Sequence, residues 1–247
     1  MPNTQGLKAL MTVSVDIIPL DRLALALIPV LVVILVQQRW QLPIRPTIYG
    51  AARMLAQLLL VGYVLVFLFD TDSSLIVFGV LAIMITVASW IALRPVGHDR
   101  PRLYWAALGA IIVGGVPTLF LTTQWVIDIT PWYDPRYLIP LAGMIFSNSM
   151  NSVSIAAERY AAEMNNGQKE ESARRTAFQA ALIPLVNSLM AVGLVSLPGM
   201  MTGQVLAGVS PLIAARYQIM IMCVLFGAAG LSAVCYLYWA RKVRSSQ

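Results

Sequence analysis

Seven stretches of the chain are almost continuously apolar, and the polar residues gather between them. They run Leu23–Val36, Ala51–Phe69, Leu75–Leu93, Leu103–Leu121, Leu138–Ala156, Ala180–Leu197 and Tyr217–Trp239. None alternates apolar and polar positions with the period of two that a barrel strand requires. An α-helix needs roughly 20 apolar residues to cross about 30 Å of hydrocarbon. The pattern therefore predicts an all-α, polytopic transmembrane helical bundle of about seven spans. The first stretch is short unless it extends back toward Ile17, and the fifth is the least hydrophobic. Span six is expected to break over Leu197–Gln204, where Pro198, Gly199 and Gly203 interrupt the helix. Unwound backbone at membrane depth is tolerated only where protein or a cavity surrounds it.

Composition narrows this further. Of 247 residues, 59% are hydrophobic and 11% charged, where a soluble domain carries about 25% charged residues. So few charges cannot cover a water-soluble surface, which excludes a soluble enzyme. The length leaves no room for a separate nucleotide-binding domain, and no G-x-x-x-x-G-K-[ST] occurs. Residues 1–247 read as one transmembrane permease domain with no cofactor, and any ATP hydrolysis belongs to another chain. Cys223 and Cys235 lie in one span, out of phase, and cannot pair with each other. Near the N-terminus, Lys8 precedes a weak apolar stretch broken by Asp16, Pro19 and Asp21, which does not read as a cleavable signal peptide.

The net charge of +6 reports orientation rather than nucleic-acid binding. With the tail residues Arg241, Lys242 and Arg244 placed in the cytoplasm, the cytoplasmic segments hold thirteen of the 17 basic residues. Only Lys8, Arg22, Arg136 and Arg216 lie outside. The N-terminus is thus expected outside and the C-terminus inside, in contact with membrane lipid throughout.

One connection is unlike the others. Residues 157–179 carry eight charges and enough helix formers for two short helices, separated by Asn165-Asn166-Gly167, a turn signal. Tyr160 and Met164, and then Ala173, Ala177 and Ala181, repeat at i, i+4. The segment reads either as a solvated connector or as a docking element for a cytoplasmic partner.

No Asp, Glu, Lys or His falls near the middle of a span. Ion-coupled carriers bury an ionisable residue where the ion binds, because such a residue is costly and kept for function. Its absence counts against a self-powered carrier and against an intramembrane hydrolase. His98 has no ligand-spaced partner. The neutral polar residues concentrate in span five, where Asn148, Asn151 and Ser152 stand at i, i+3, i+4 on one helical face. Asn187 and Ser188 follow in span six. Such residues bond neighbouring helices at about 0.6 kcal/mol on average, or they line a polar translocation path. Met200 and Met201 offer soft thioethers that suit soft metals, and methionine is equally ordinary flexible packing. Gln204 closes the same segment.

Three blocks carry a family resemblance. PLVNSLMAVGLVSLPGMMTGQVLAGVSPLIAARYQIMIM (Pro184–Met222), YLIPLAGMIFSNSMNSVSIAAER (Tyr137–Arg159) and RMLAQLLLVGYVLVFLF (Arg53–Phe69) resemble, in order, the FetB-type permeases. These are membrane subunits of bacterial ABC transporters assigned to iron export, with plant relatives linked to aluminium tolerance. Ser147-Asn148 departs from the Gly-Asn of that pattern. The resemblance implies a separate cytoplasmic ABC ATPase, a permease homodimer, metal efflux, and the bacterial cytoplasmic (inner) membrane. It also gives residues 157–179 the role of a coupling loop. Ala161-Ala162-Glu163 precedes Gly167 at the spacing of an E-A-A-x3-G loop, though in another order, with Glu163, Gly167, Arg174 and Arg175 as the coupling residues. The path residues would be Asn148, Asn151, Ser152, Asn187, Met200, Met201 and Gln204. A stand-alone channel or carrier for a small solute or ion is the alternative. A membrane enzyme is not supported, because no His, Asp and Glu group converges in the sequence.

Overall fold

A computed structural model of the chain describes residues 18–69 and 73–245. The N-terminal segment with Lys8 and Asp16, and any extension of the first span to Ile17, lie outside the described residues. The chain divides into two compact units, residues 1–67 and 68–247.

The first unit contains α1 (Leu20–Leu25), α2 (Ile28–Arg39) and nearly all of α3 (Arg45–Phe69). The expected first span is broken at Ala26–Leu27. Pro29 accounts for the break, since its ring cannot follow a helical carbonyl four residues earlier. A tight turn then passes through Gln41, whose φ is 56°, and Pro46 enters α3 where a missing N–H costs nothing.

The second unit holds the packed core. Its helices are α4 (Ser74–Ala92), α5 (Arg100–Leu121), α6 (Pro135–Asn165), α7 (Glu170–Ala191), α8 (Gly199–Leu206) and α9 (Pro211–Ser245). A 3-10 turn, Arg94–Asp99, joins α4 to α5, and a π turn, Thr122–Val126, extends α5. At the first joint Arg100 donates through Nε and Nη2 to the Trp90 carbonyl and stacks 3.8 Å over the Trp90 ring. His98 is exposed in that turn.

Helix α9 packs along α5 and α6, and α6 packs in turn against α4, α5 and α7. The α5–α9 seam is made of small residues at helical spacing. Ala106, Ala107, Ala110 and Gly114 of α5 are buried, as are Ala228, Ala229, Ser232, Ala233 and Ala240 of α9. Lipid offers no hydrophobic drive for helix pairing, so close van der Waals contact has to supply it. At Gly114 a Cβ would collide with Ser232 Oγ and stand 2.7 Å from the Ala228 carbonyl. The Ser232 hydroxyl meanwhile donates back to Ala228 at 2.7 Å, so its burial leaves no orphan.

Five described segments are long and apolar enough to cross a membrane: Asp21–Arg39, Arg45–Phe69, Ser74–Ala92, Arg94–Val126 and Pro211–Val243. Helices α6 and α7, expected as spans five and six, are not among them. One carries the Ser/Asn run and the other four charges in its first two turns.

Two boundaries differ from expectation. The charged connector 157–179 does not form separate short helices. With alanines and glutamates and no breaker on either side of the turn, α6 and α7 simply run through it. Span six, conversely, stops at Ala191, six residues before Leu197. Here the amides of Leu194, Val195 and Ser196 converge on the Ala191 carbonyl at 3.3, 2.9 and 3.1 Å, and Gly193 donates to Ser196 at 3.0 Å. Pro198 then begins a helix instead of interrupting one, so Met200–Gln204 is helical rather than unwound.

Replacing Gly114 by Ala is expected to destabilise the chain by about 1–3 kcal/mol through overpacking. Gly79→Ala, where a Cβ meets open space, is expected to be neutral or mildly stabilising. Thermal unfolding in detergent, followed by tryptophan fluorescence, separates the two. Equal shifts would mean that the seam is not closely packed.

Candidate functional site

The first element is the hairpin between α6 and α7. The Gly167 amide donates to Met164 at 3.1 Å and the Gln168 amide to Glu163 at 3.1 Å, the two bonds of a Schellman cap. This cap needs a left-handed residue after the helix, and Gly167 has φ of 76°. Gly208 closes α8 in the same way, with φ of 88°. Lys169 then enters α7, and Glu170 and Glu171 in its first turn favour the positive end of the helix dipole. Tyr160 of α6 and Ala173, Ala177 and Ala181 of α7 are all buried, so the apolar stripe joins the two arms.

The expected coupling residues are placed unequally. Glu163 pairs with Arg159 at 2.5 Å, and Arg175 with Glu171 at 2.6 Å on the exposed side. Arg174 turns inward. Its Nε is 3.6 Å from Glu170, and its guanidinium lies 5.3 Å from the Tyr238 ring of α9. Glu170 also receives Arg241 of α9 at 3.0 Å. The hairpin is thereby tied to the C-terminal end of α9 by one carboxylate held between two arginines. A cavity of about 260 Å³ opens beside this clamp, walled by Arg174, Arg175 and Phe178 on one side and Leu237 and Tyr238 on the other. The i, i+4 pairs could be read from the sequence, but the role of Arg241 and Tyr238 could not, because their partners come from a distant helix.

The second element is the polar face of α6. Asn148 is half-buried and donates to the Met144 carbonyl at 2.9 Å. Asn151 is exposed, whereas Ser152 is buried with no partner for its hydroxyl, like Ser149 one turn earlier. Asn148, Asn151 and Ser152 thus do not share one environment: one looks outward and one into the bundle. Asn187 stands apart from them, lining a cavity of about 410 Å³ with Ser188, Ser196, Pro198 and Met222.

The third element lies at the opposite end of α6 from the hairpin, a distance of about 46 Å along its 31 residues. Met200 and Gln204, one turn apart on α8, face Tyr137 and Met144 of α6 and Tyr217 of α9 across a cavity of about 520 Å³. Arg136 completes this wall. The Gln204 amide oxygen is buried and has no hydrogen-bond partner. Met201 is half-buried on the same short helix. Among the described residues, no group of three His, Cys, Asp or Glu could hold a metal ion. Amide, thioether and phenol groups can guide and desolvate a solute at this site, but they offer a bare cation no carboxylate.

A double-mutant cycle on Glu170→Gln and Arg241→Gln is expected to return a coupling of about 0.2–1 kcal/mol, as for a partly exposed pair. In thermal unfolding experiments this coupling should shrink in about 1 M salt. Additive effects at low salt would remove the clamp from the account.

Comparison with known proteins places the chain in a family. The model of the "Uncharacterised protein family (UPF0014)" matches residues 20–243. A UPF0014 membrane protein of Synechocystis is 41% identical over 76% of this chain and 78% of its own length. The probable iron export permease protein FetB of Escherichia coli is 31% identical over 90% of this chain and 91% of its own. Protein ALUMINUM SENSITIVE 3 of Arabidopsis thaliana is 31% identical over 87% and 84%. No solved structure matches. The resemblance carried by the three sequence blocks is borne out, and the chain belongs to the UPF0014 family of membrane proteins.

Proposed function

We propose that this chain is the permease subunit of an ABC-type exporter of iron or another metal, working as a homodimer with a separate cytoplasmic ATPase in a bacterial inner membrane. The observation that carries the reading is the α6–α7 hairpin, a rigid capped turn fastened to α9 through Glu170, Arg174, Arg241 and Tyr238. A free connector would dissipate force, whereas a turn clamped to the longest helix passes it on. The similarity to the E. coli protein named as a probable iron export permease supplies the cargo class.

In this reading residues 1–247 act as one permease domain of about seven spans. Glu163, Gly167 and Arg175 belong to the docking face of the hairpin, and Arg174 holds that face to α9. ATP-driven closure of the partner pulls on the hairpin. The pull moves α6 and α7 relative to α8 and opens a path along Asn148, Asn151, Ser152, Asn187, Met200, Met201 and Gln204 to each side in turn. Such cycling requires the two conformations to differ in affinity for the ATP-bound partner.

Gln168 and Lys169 are exposed at the tip, so negative charge can be introduced at both without unpacking the hairpin. The double substitution Gln168→Glu, Lys169→Glu is expected to weaken co-purification of the ATPase at least about tenfold, the equivalent of 1.4 kcal/mol. Unfolding temperature should stay unchanged. If the tagged chain brings down no ATPase, and the purified chain alone conducts, it is instead a stand-alone channel or carrier.

A further inference from the structure

The cavity behind Met200 and Gln204 is continuous in its walls with a second one. Ile127 and Tyr217 line both the cavity of about 520 Å³ and a neighbour of about 260 Å³. Arg136 stands in the first and Arg216 in the second. Neither forms an ion pair within 4.0 Å among the described residues, and neither cavity has an acidic residue in its wall. Among the described residues, neither Asp128 nor Asp134 forms an ion pair with them. Asp134 accepts from the Arg136 backbone amide at 2.9 Å, which caps α6, while Asp128 lies exposed beyond the π turn.

This placement is more selective than it first seems. Arg136 and Arg216 are the two basic residues that the charge count leaves at this end of the second unit. Arg136 lines one cavity and Arg216 the other, with Tyr217 in the wall of both. A volume of this size falls in the range of roughly 300–1,000 Å³ typical of small-molecule sites. Two guanidiniums repel a bare divalent cation and attract carboxylates, which they can grip with paired N–H groups. The unpartnered Gln204 oxygen needs a donor, as a hydroxyl or a metal-bound water would provide. Met144, Met200 and the tyrosine rings supply apolar wall for a carbon skeleton.

We propose that the Arg136–Arg216 cavity binds the cargo as an anionic metal chelate of the hydroxycarboxylate class, rather than as a naked cation. This rests on the exporter reading for the presence of a metal, but not on the ATPase. The carboxylates not spent on the metal meet Arg136 and Arg216, and a hydroxyl or coordinated water meets Gln204. The ligand, not the protein, provides the carboxylate donors that the walls of the two cavities lack.

The test is equilibrium dialysis of the purified full-length chain in lipid nanodiscs, with no ATPase present. Three probes are compared: iron(III)–citrate carrying label on both iron and citrate, citrate alone, and ferrous iron alone under anaerobic conditions. The proposal expects iron and citrate to bind together, with ferrous iron alone at least tenfold weaker. It also expects Arg136→Gln, Arg216→Gln to weaken chelate binding at least tenfold, and Arg136→Lys, Arg216→Lys to restore part of it. Tryptophan-monitored unfolding checks that the variants remain folded. Ferrous iron binding as well as the chelate, or chelate binding indifferent to both arginines, overturns the proposal. Binding of citrate but not of its iron complex overturns it too, because the site would then be one for an anion without metal. Chelate binding by a chain that co-purifies with no ATPase would sink the exporter reading and leave this site standing.

Discussion

The approach of α5 to α9 at Gly114 is the constraint from which the second unit is built. A glycine on one helix lies against a serine on the other, and the serine satisfies its own hydroxyl within its helix. Neither side presents a polar group that needs the partner, nor a side chain that keeps the partner away. In water such a stripe of alanine and glycine would bury little apolar area and hold little together. In lipid, where apolar burial between helices counts for almost nothing, close backbone contact is what remains. Once α5 and α9 are locked, α6 fits along both, and the hairpin and α8 are carried at its two ends.

Those ends do different work with the same chain economy. At the hairpin the carboxylates are paired: Glu163, Glu170 and Glu171 each have an arginine. At the far end Arg136 and Arg216 have no ion pair among the described residues. Ion pairs that hold a turn together and unpaired cations that face a cavity are thus segregated by about the length of α6. Such a helix, continuous from Pro135 to Asn165, is suited to relating events at one end to events at the other.

Much of the helical pattern was legible. The third apolar stretch and α4 differ by one residue at each end, because nothing between Leu75 and Leu93 competes with helix. The Asn165-Asn166-Gly167 signal fell on the turn itself, and of the two i, i+4 stripes Tyr160, Ala173, Ala177 and Ala181 are buried while Met164 is half-buried. The misses have physical causes. Pro29 breaks an otherwise apolar run, and continuous apolarity alone predicts an unbroken helix there. The stop at Ala191 lacks any strong marker, since Gly193 within an apolar sequence reads as packing as readily as a turn. The shared i, i+3, i+4 face of Asn148, Asn151 and Ser152 was correct as helical geometry. A helix wedged between neighbours, however, divides one face between interior and exterior. What periodicity cannot give is convergence from distant segments, which is why Arg241 against Glu170, and Arg136 with Arg216, emerged only in three dimensions.

The turn that ends α7 has a further consequence. The four charges of α7 sit in its first six residues, so the uncharged part from Thr176 to Ala191 is about 24 Å long, short of a hydrocarbon core of roughly 30 Å. At membrane depth a bend would meet a solvent that offers no hydrogen bonds. The amides of residues 193–196 ask for none: three share the Ala191 carbonyl and the fourth takes that of Ser196. The tip exposes Leu194 and Val195, at 93% and 84% of their surface. A soluble protein would treat such a tip as a liability. At membrane depth such a tip, its amides satisfied but its backbone unwound, requires a protein surface or a cavity around it.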